Sequence, residues 1–424
     1  MNVLMLSWEY PPRVVGGLGR HVHALATALA REGHEVVVIS RDHPDAPADS
    51  VVDGVRVVRV GEDPPLVPFS ELLAWVMALN HGLLRAALRV MEDFTPDVIH
   101  AHDWLVAHAA KTLKDHTGAP VVATVHATEA GRHQGFLPGP VNRAVHSVEW
   151  WLTYEARRVI TCSSYMRDEV IGLFALPANK VDVVPNGIDV EHWSADAAEV
   201  SLLRGQLSPT GAPVLLYAGR LEYEKGVQTV LAALPRLRRR HPGLRLVVAG
   251  VGTHLAELQA LARTLRVSRS VSFMGFLEPS ELAVVAAAAD CAVVPSIYEP
   301  FGMVALESAA AGTPIVVADT GGLREFVDHD ATGLRFAPGD HAALADAVTR
   351  LLGDEVLAQR LVRDARLLLA RDYTWTAIAR RTASIFELAA REERALRAGF
   401  IAEAKVPPRV LYGRSALLSG TDEA

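Results

Sequence analysis

The segment Ser296–Glu307 carries the residues whose types and spacing are best suited to chemistry. It reads Ser-Ile-Tyr-Glu-Pro-Phe-Gly-Met-Val-Ala-Leu-Glu and lies between a strand-like run and a helix-like run. Because proline pushes the preceding residue towards extended geometry, Glu299 is predicted to project from a loop. The backbone N–H groups of Gly302, Met303 and Val304 would then open a helix, where unpaired donors and the helix dipole favour an anion. A carboxylate beside a phosphate-sized cradle indicates a phosphorylated sugar donor.

Two cations follow the predicted strand Val214–Tyr217. Arg220 comes at the end of that strand, and Lys225 precedes a helix opened by Gly226. Arginine offers a planar fork to phosphate oxygens, and lysine offers a point charge. Departure of a diphosphate builds negative charge, so such contacts strengthen in the transition state. The alternative is that both residues are solvated surface charges.

The two glutamates of the first segment are too far apart for a hydrolase pair. Glu307 lies eight residues after Glu299, which in a continuous helix would separate them by about 12 Å. Paired carboxylates of glycoside hydrolases stand about 5–5.5 Å or about 6.5–9.5 Å apart. The spacing therefore predicts separate tasks for Glu299 and Glu307, although a solvated helix residue is the alternative for Glu307.

Other motifs allow both a chemical and a structural interpretation. Gly16 and Gly17 form a turn after the first strand that a diphosphate could approach closely, or a plain strand–helix connection. His126 ends a strand-like run and would point from the carboxyl edge of a sheet, although a lone histidine is often a core residue. His100 and His102 have a spacing known from zinc ligands, but Asp103 would face away from them on a strand. We therefore predict no metal site.

The motifs, taken together and in this order, resemble the retaining glycosyltransferases of the GT-B fold, in the family 4 and glycogen-synthase group. The resemblance covers residues 1–395 and includes a glutamate pair with seven residues between its members. An ordered set of motifs is far more specific than any one of them. Its parts are Gly16-Gly17-Leu18-Gly19, the run ending in His126, Asn186-Gly187-Ile188-Asp189, the run Ala218–Gly226, the pair Glu299 and Glu307, and Gly321-Gly322-Leu323.

This resemblance implies a role for each matching residue. Glu299 and His126 would contact the transferred sugar, and Glu307 would accept hydrogen bonds from the ribose of the donor. Residues implied to bind the nucleotide sugar are Gly16, Gly17, Arg220, Lys225, Phe301, Gly302, Met303, Val304 and Glu307. Residues implied to lie on the acceptor side are Glu9, Tyr10, Asp103 and Asn186. The fold usually needs no metal, because helix N-termini and cations neutralise the diphosphate.

The implied activity is a retaining, metal-independent transfer of an α-glucosyl unit from ADP- or UDP-glucose to a glucan or oligosaccharide. Segments such as Ser7–Pro12 and His100–Trp104 look most like glycogen-synthase-like α-1,4-glucosyltransferases. A family 4 mannosyltransferase that uses GDP-mannose on a lipid or sugar acceptor would share every donor-side motif. Two rivals of a different kind are a glycoside hydrolase and a non-catalytic sugar-nucleotide binding protein.

Two doubly wound α/β domains are predicted to position these residues. Strand and helix patterns alternate along the chain, and the strand runs lack period-two alternation, as in parallel strands buried on both faces. We predict two Rossmann-like domains of the GT-B fold that face a cleft. The predicted ranges are 1–195 for the acceptor-side domain, 196–373 for the nucleotide-sugar domain, 374–398 for a helix that crosses back to the first domain, and 399–424 for a tail.

Composition excludes some classes of protein. The 424 residues hold 42 Lys and Arg against 49 Asp and Glu, a net charge of −7, which argues against nucleic acid as the main partner. No apolar run approaches the ~18 residues of a membrane span, and no signal peptide is apparent. Cys162 and Cys291 each lie near the end of an apolar strand and are predicted to be buried thiols. The cytoplasm is the expected compartment.

Overall fold

The computed structural model describes residues 1–14 and 16–404, with side chains described through residue 398. Two parallel sheets, one in each half of the chain, form its framework. Within the described residues, no helix has both the length and the apolar content that crossing a membrane requires.

The first sheet forms the core of the N-terminal domain. Its eight strands lie in the order β3-β4-β2-β1-β5-β6-β7-β8, and all neighbours are parallel except β3 and β4. Apart from Asn2, the residues of its three central strands are buried, as expected for a sheet covered on both faces. The strands are β1 Asn2–Leu6, β2 Glu35–Arg41, β3 Asp49–Val52, β4 Val55–Val60, β5 Val98–His102, β6 Val121–Val125, β7 Arg158–Thr161 and β8 Val181–Val183.

Helices cover both faces of this sheet. The α-helices are α1 Gly17–Arg31, α2 Leu72–Val90, α3 Ala107–Thr117, α4 Glu129–Arg132, α5 Pro140–Glu155 and α6 Ser164–Phe174. Helix α1 follows β1 directly and buries one apolar face. That connection places the Gly16-Gly17 turn at the carboxyl edge of the sheet, where ligands bind in open α/β folds.

The second sheet forms the core of the C-terminal domain. Its six strands lie in the order β11-β10-β9-β12-β13-β14, and all neighbours are parallel. The strands are β9 Val214–Ala218, β10 Arg245–Ala249, β11 Val271–Gly275, β12 Cys291–Val294, β13 Ile315–Ala318 and β14 Leu334–Phe336. The helices are α7 Ala197–Leu207, α8 Val227–Arg240, α9 Leu255–Thr264, α10 Pro279–Ala287, α11 Met303–Ala310, α12 Leu323–Phe326, α13 His341–Gly353 and α14 Glu355–Asp372.

The final helix, α15 Trp375–Ala404, packs on the N-terminal domain. Phe386 is fully buried in one cluster with Val3 and Met5 of β1. Arg157 donates to Glu393 at 2.7 Å, which fixes the far end of the helix. The helix continues past residue 398 into the segment predicted to be a tail, and residues 405–424 of that segment lie outside the described residues.

Candidate active site

The anion cradle predicted after Glu299 is present as the N-terminus of α11. The helix begins at Met303, and Gly302 before it has a φ of 102°. A Cβ atom on Gly302 would lie 2.4 Å from Leu323, so this left-handed position has no room for a side chain. Among the described residues, no side chain caps the helix, and its first turn holds no acid. The amides of Gly302, Met303 and Val304 are therefore suited to an oxyanion.

The carboxylate of Glu299 lies in the loop before this helix and contacts a cation. Lys225 donates to Glu299 Oε2 at 2.9 Å, and the hydroxyl of Ser296 donates to the same oxygen at 2.9 Å. Gly322 N donates to the Glu299 carbonyl at 2.9 Å. A Cβ atom on Gly321 would lie 2.0 Å from that carbonyl oxygen. The backbone of Gly321 and Gly322 therefore packs directly against the loop that carries Glu299.

Arg220 lies at the wall of the cleft between the domains. Its side chain is half exposed and pairs with Glu224 at 3.3 Å. It borders a cavity of about 570 Å³ whose walls come from both domains. Those walls include Arg132, His133 and Gln134 from the N-terminal domain, and Tyr223 and His254 from the C-terminal domain. A ligand in this cavity would meet Arg220 directly.

Glu307 is a buried carboxylate paired across the cleft. Arg20 of α1 donates to its Oε1 at 2.9 Å, while its Oε2 is buried without a hydrogen-bond partner among the described residues. Burial raises the pKa of Glu307, and the Arg20 guanidinium opposes that rise. Glu299 and Glu307 thus have different partners, in keeping with the separate tasks that their spacing predicts.

His126 lies just beyond the end of β6, and its backbone is held by Asp103. The amide of His126 donates to Asp103 Oδ1 at 2.8 Å. Burial lowers the pKa of His126 to about 4, so the imidazole is neutral near pH 7. A neutral imidazole can donate a hydrogen bond to a sugar hydroxyl or accept one from it.

Asp103 itself is buried, and its implied place on the acceptor side stays a prediction. Its backbone has a φ of 60°, rare for a residue with a side chain. Burial raises the pKa of its carboxyl to about 6. The hydrogen bond that the carboxylate accepts from the His126 amide lowers the pKa and offsets part of that rise. The residue braces the strand end that carries His126.

Three further residues with predicted ligand roles are also buried. Glu9 and Tyr10 are nearly fully buried, and the Glu9 carboxylate accepts a bond from Gly16 N at 3.1 Å. Glu9 thus braces the glycine turn, and the implied place of both residues on the acceptor side stays a prediction. The Phe301 side chain is buried, and the centroid of its ring lies 6.2 Å from that of Tyr373. It therefore packs in the protein interior. Packing within the protein covers all three side chains, which leaves little of their surface for a ligand.

The remaining predicted residues lie at the carboxyl edge of the first sheet. Cβ atoms built on Gly16 and Gly17 would meet none of the described atoms within 4 Å, so the N-terminus of α1 opens into free space. Asn186 is largely buried, with an Oδ1 that has no partner among the described residues, and it interacts with His21. The glycine turn can therefore admit a ligand, whereas Asn186 supports the histidines behind it.

Those histidines form a buried network that the sequence does not reveal. Side-chain nitrogens of His21, His102 and His126 lie within 4.8 Å of one another. His102 Nδ1 lies 3.2 Å from His126 Nε2, within hydrogen-bonding distance between the two rings. His100, half of the His-x-His pair considered as a zinc motif, bonds to Thr124 at 2.7 Å.

The structure also holds the two domains together around the donor motif. Tyr298 donates to Glu169 of α6 at 3.0 Å, and Ser163 donates to the Pro300 carbonyl at 2.6 Å. Sequence reasoning does not find Glu169, Ser163 or the role of Arg20. Contacts between residues so far apart in the chain leave no periodic signal.

The buried carboxyl of Glu149 leads to a prediction about how stability depends on pH. Burial raises the pKa of Glu149 from 4.5 to about 8, so the folded protein holds a proton there that the unfolded chain releases above pH 4.5. The free energy of unfolding should therefore fall as pH rises from 4.5 to 8, by up to about 1.4 kcal/mol per pH unit for this group. Glu149→Gln should flatten that fall, measured by urea unfolding at pH 5, 6, 7 and 8.

The exposed Glu355→Gln is a matched control and should follow the wild-type curve. If Glu149→Gln also followed that curve, Glu149 would be ionised in the folded protein and the expectation would be wrong.

The sequence also matches family models and known proteins. A family model described as Glycosyltransferase Family 4 matches residues 15–192, and one described as Glycosyl transferases group 1 matches residues 202–368. The chain is 48% identical over 408 residues to a glycogen synthase of Mycobacterium tuberculosis, covering 93% of this chain and 96% of that protein.

Two further relatives extend the comparison. A D-inositol 3-phosphate glycosyltransferase of Xylanimonas cellulosilytica is 32% identical, covering 85% of this chain and 88% of that protein. The structure of a sucrose-phosphate synthase from Thermosynechococcus elongatus superposes with a TM-score of 0.78 at 25% identity, covering 91% of this chain and 98% of that one. These matches confirm the predicted family and fold class. The chain belongs to glycosyltransferase family 4 and is a glycosyltransferase with the two-domain GT-B fold.

Proposed function

We propose that this protein transfers an α-glucosyl unit from ADP- or UDP-glucose to a hydroxyl of an α-1,4-glucan or oligosaccharide, with retention of configuration. One observation carries the proposal: the Lys225–Glu299 pair lies beside the uncapped N-terminus of α11, next to a cleft bordered by both domains. The 48% identity to a glycogen synthase supports glucose and a glucan as the substrates.

Departure of the nucleotide diphosphate is the step that these groups assist. Arg220, Lys225 and the amides at the start of α11 would surround its oxygens with positive charge. Such preorganised donors act most strongly on charge that develops in the transition state. As the bond between the anomeric carbon and the diphosphate oxygen breaks, the leaving group gains a negative charge that these residues neutralise.

The transferred sugar would be held between Glu299 and His126. The Glu299 carboxylate stabilises the positive charge that builds at the anomeric carbon, and neutral His126 bonds a sugar hydroxyl. The acceptor oxygen attacks from the face that the diphosphate leaves, which retains the α configuration. Its proton passes to the departing diphosphate oxygen, a base already on that face.

A matrix of donors and acceptors tests the proposed function. ADP-, UDP- and GDP-glucose and GDP-mannose are each incubated with maltooligosaccharides, and the product linkage is determined by NMR. We expect α-1,4-glucosyl products from ADP- or UDP-glucose. Transfer from GDP-mannose alone, or release of free glucose from glucan without a nucleotide, would contradict the proposal.

We further propose that the reaction needs no metal ion. The cations and helix N-terminus already described can neutralise a diphosphate, as a divalent ion does in other transferases. Incubation with excess EDTA, followed by desalting, should leave the transfer rate unchanged. A loss of activity that Mg²⁺ or Zn²⁺ reverses would show that a metal takes part.

The cytoplasm is the compartment that we propose. Both cysteines, Cys162 and Cys291, are buried free thiols. Burial raises the pKa of each thiol, which keeps it protonated and unreactive. Unpaired buried thiols are typical of proteins in a reducing compartment.

A further inference from the structure

Arg20 and Glu307 form an ion pair that joins the two domains across the cleft. Arg20 lies in the first turn of α1 in the N-terminal domain, whereas Glu307 lies on α11 in the C-terminal domain. Arg20 Nη1 is 2.9 Å from Glu307 Oε1. The Arg20 side chain is 38% exposed and that of Glu307 is 3% exposed, so the cation reaches in from solvent to a buried anion.

The second oxygen of Glu307 is unsatisfied. Oε2 is buried and accepts no hydrogen bond from any described residue. An unpaired buried carboxylate oxygen is costly, and a donor hydroxyl from a ligand would remove that cost. Glu307 therefore has one oxygen that Arg20 holds and one that is available to a ligand entering between the domains.

We propose that Arg20 is a positioning residue for the nucleotide sugar: it holds Oε1 of Glu307 and so orients the open oxygen, Oε2, to accept the ribose hydroxyls of the donor. This inference rests on the proposed function, in which a nucleotide diphosphate glucose occupies the cleft. The contact that Arg20 makes in this structure is with Glu307, so it is expected to act through that carboxylate.

The ion pair also joins the two domains. Because its two members belong to different domains, the orientation of Glu307 depends on a residue that the N-terminal domain supplies.

Removal of Arg20 should therefore weaken donor binding more than it slows the chemistry. In the full-length protein, Arg20→Ala should raise the donor KM about 10–100-fold, within the usual range of coupling between linked sites. The kcat at saturating donor should stay within about twofold, because Arg220, Lys225 and Glu299 are untouched. Arg20→Lys should recover part of the affinity, since it restores a charge without the planar fork.

The test combines kinetics with calorimetry of ADP and UDP binding. Variants are Arg20→Ala, Arg20→Lys, Glu307→Gln and the double variant Arg20→Ala/Glu307→Gln, with Arg31→Ala at the exposed end of the same helix as a matched control. If Arg20 acts through Glu307, the double variant binds nucleotide no more weakly than Glu307→Gln alone. Arg31→Ala should behave as wild type.

Several outcomes would overturn the inference. These are an unchanged KM in a folded Arg20→Ala protein, additive losses in the double variant, or a fall in kcat that dominates over KM. The last two would mean that Arg20 contacts the diphosphate itself. Should Arg20→Ala fold poorly, Arg20→Lys and Glu307→Gln give the same comparison. Failure of the proposed function would show in the wild-type protein, as absence of glucosyl transfer, and not in the variants alone.

Discussion

Replacement of Glu299 by Gln is expected to lower kcat at least about 10³-fold, while the protein folds normally. Gln keeps the size of the side chain and can still accept the bond from Ser296. It loses the negative charge that would stabilise the developing positive charge at the anomeric carbon. Loss of a single oriented group at a transition state typically costs about 10²–10³ in kcat. Loss of a full charge opposite the reacting carbon should reach or exceed the upper end of that range.

The measurement is initial-rate kinetics at saturating donor, with circular dichroism and thermal unfolding as checks on the fold. Glu355→Gln is a suitable control, because this exposed glutamate lies at the start of α14. It should retain wild-type kcat. Turnover of Glu299→Gln within tenfold of wild type would remove Glu299 from the mechanism and leave it as a partner of Lys225 only.

Much of the fold can be predicted from the sequence, because buried parallel strands leave continuous apolar runs. The predicted strand Val214–Tyr217 is one residue shorter than the observed β9, Val214–Ala218. No such run marks the strands Asp49–Val52, Val181–Val183 and Leu334–Phe336. The first is an exposed, antiparallel edge strand, and the other two have three residues each. Such elements form because a neighbouring strand offers a hydrogen-bonding edge, and their own sequence carries little pattern.

The segment between the domains shows the limit of composition as a guide. The predicted domain boundary at residues 195 and 196 lies in a segment rich in small residues, yet helix α7, Ala197–Leu207, begins directly after it. Asp196 caps this helix through bonds to two backbone amides. A capping aspartate followed by a run of helix-forming residues is the signal that the composition conceals.

Local sequence predicts the parts of the site that depend on backbone geometry. It predicts less well which side chains are buried. The Gly302 turn and the helix after it follow from local sequence, and so does the placement of Glu299 before proline. Which side chains end up covered depends on both domains at once. Asp103 and Tyr10 are polar residues next to motif positions, and only the packed structure shows that they are buried.

Contacts across the cleft are the hardest to infer from one sequence. Arg20 and Glu307, or Tyr298 and Glu169, meet because two separately folded sheets approach each other. No spacing rule relates residues on different domains, so their pairing has no periodic signature. Such pairs help to fix how the site residues of the two domains face each other. Function in this chain therefore depends on features that the motifs alone do not specify.

Loss of either cation at the cleft is the second large effect that we expect. Lys225→Ala and Arg220→Ala should each cost about 2–4 kcal/mol of transition-state stabilisation, as other oriented anion contacts do. Lys225→Ala should be the more severe of the two. Its ammonium is largely buried and bonds to Glu299, so its removal leaves a buried carboxylate without its cation. Arg220 is half exposed, and solvent screens part of its charge.

The ratio of kcat to donor KM measures this cost, and the exposed Arg363→Ala serves as the control for loss of a surface cation. A double variant, Lys225→Ala/Glu299→Gln, separates the two contributions of Lys225. If the lysine acts on the diphosphate as well as on Glu299, the double variant should be slower than Glu299→Gln alone. Equal rates would mean that Lys225 serves only to hold Glu299, and the leaving group would then depend on Arg220 and the amides of α11.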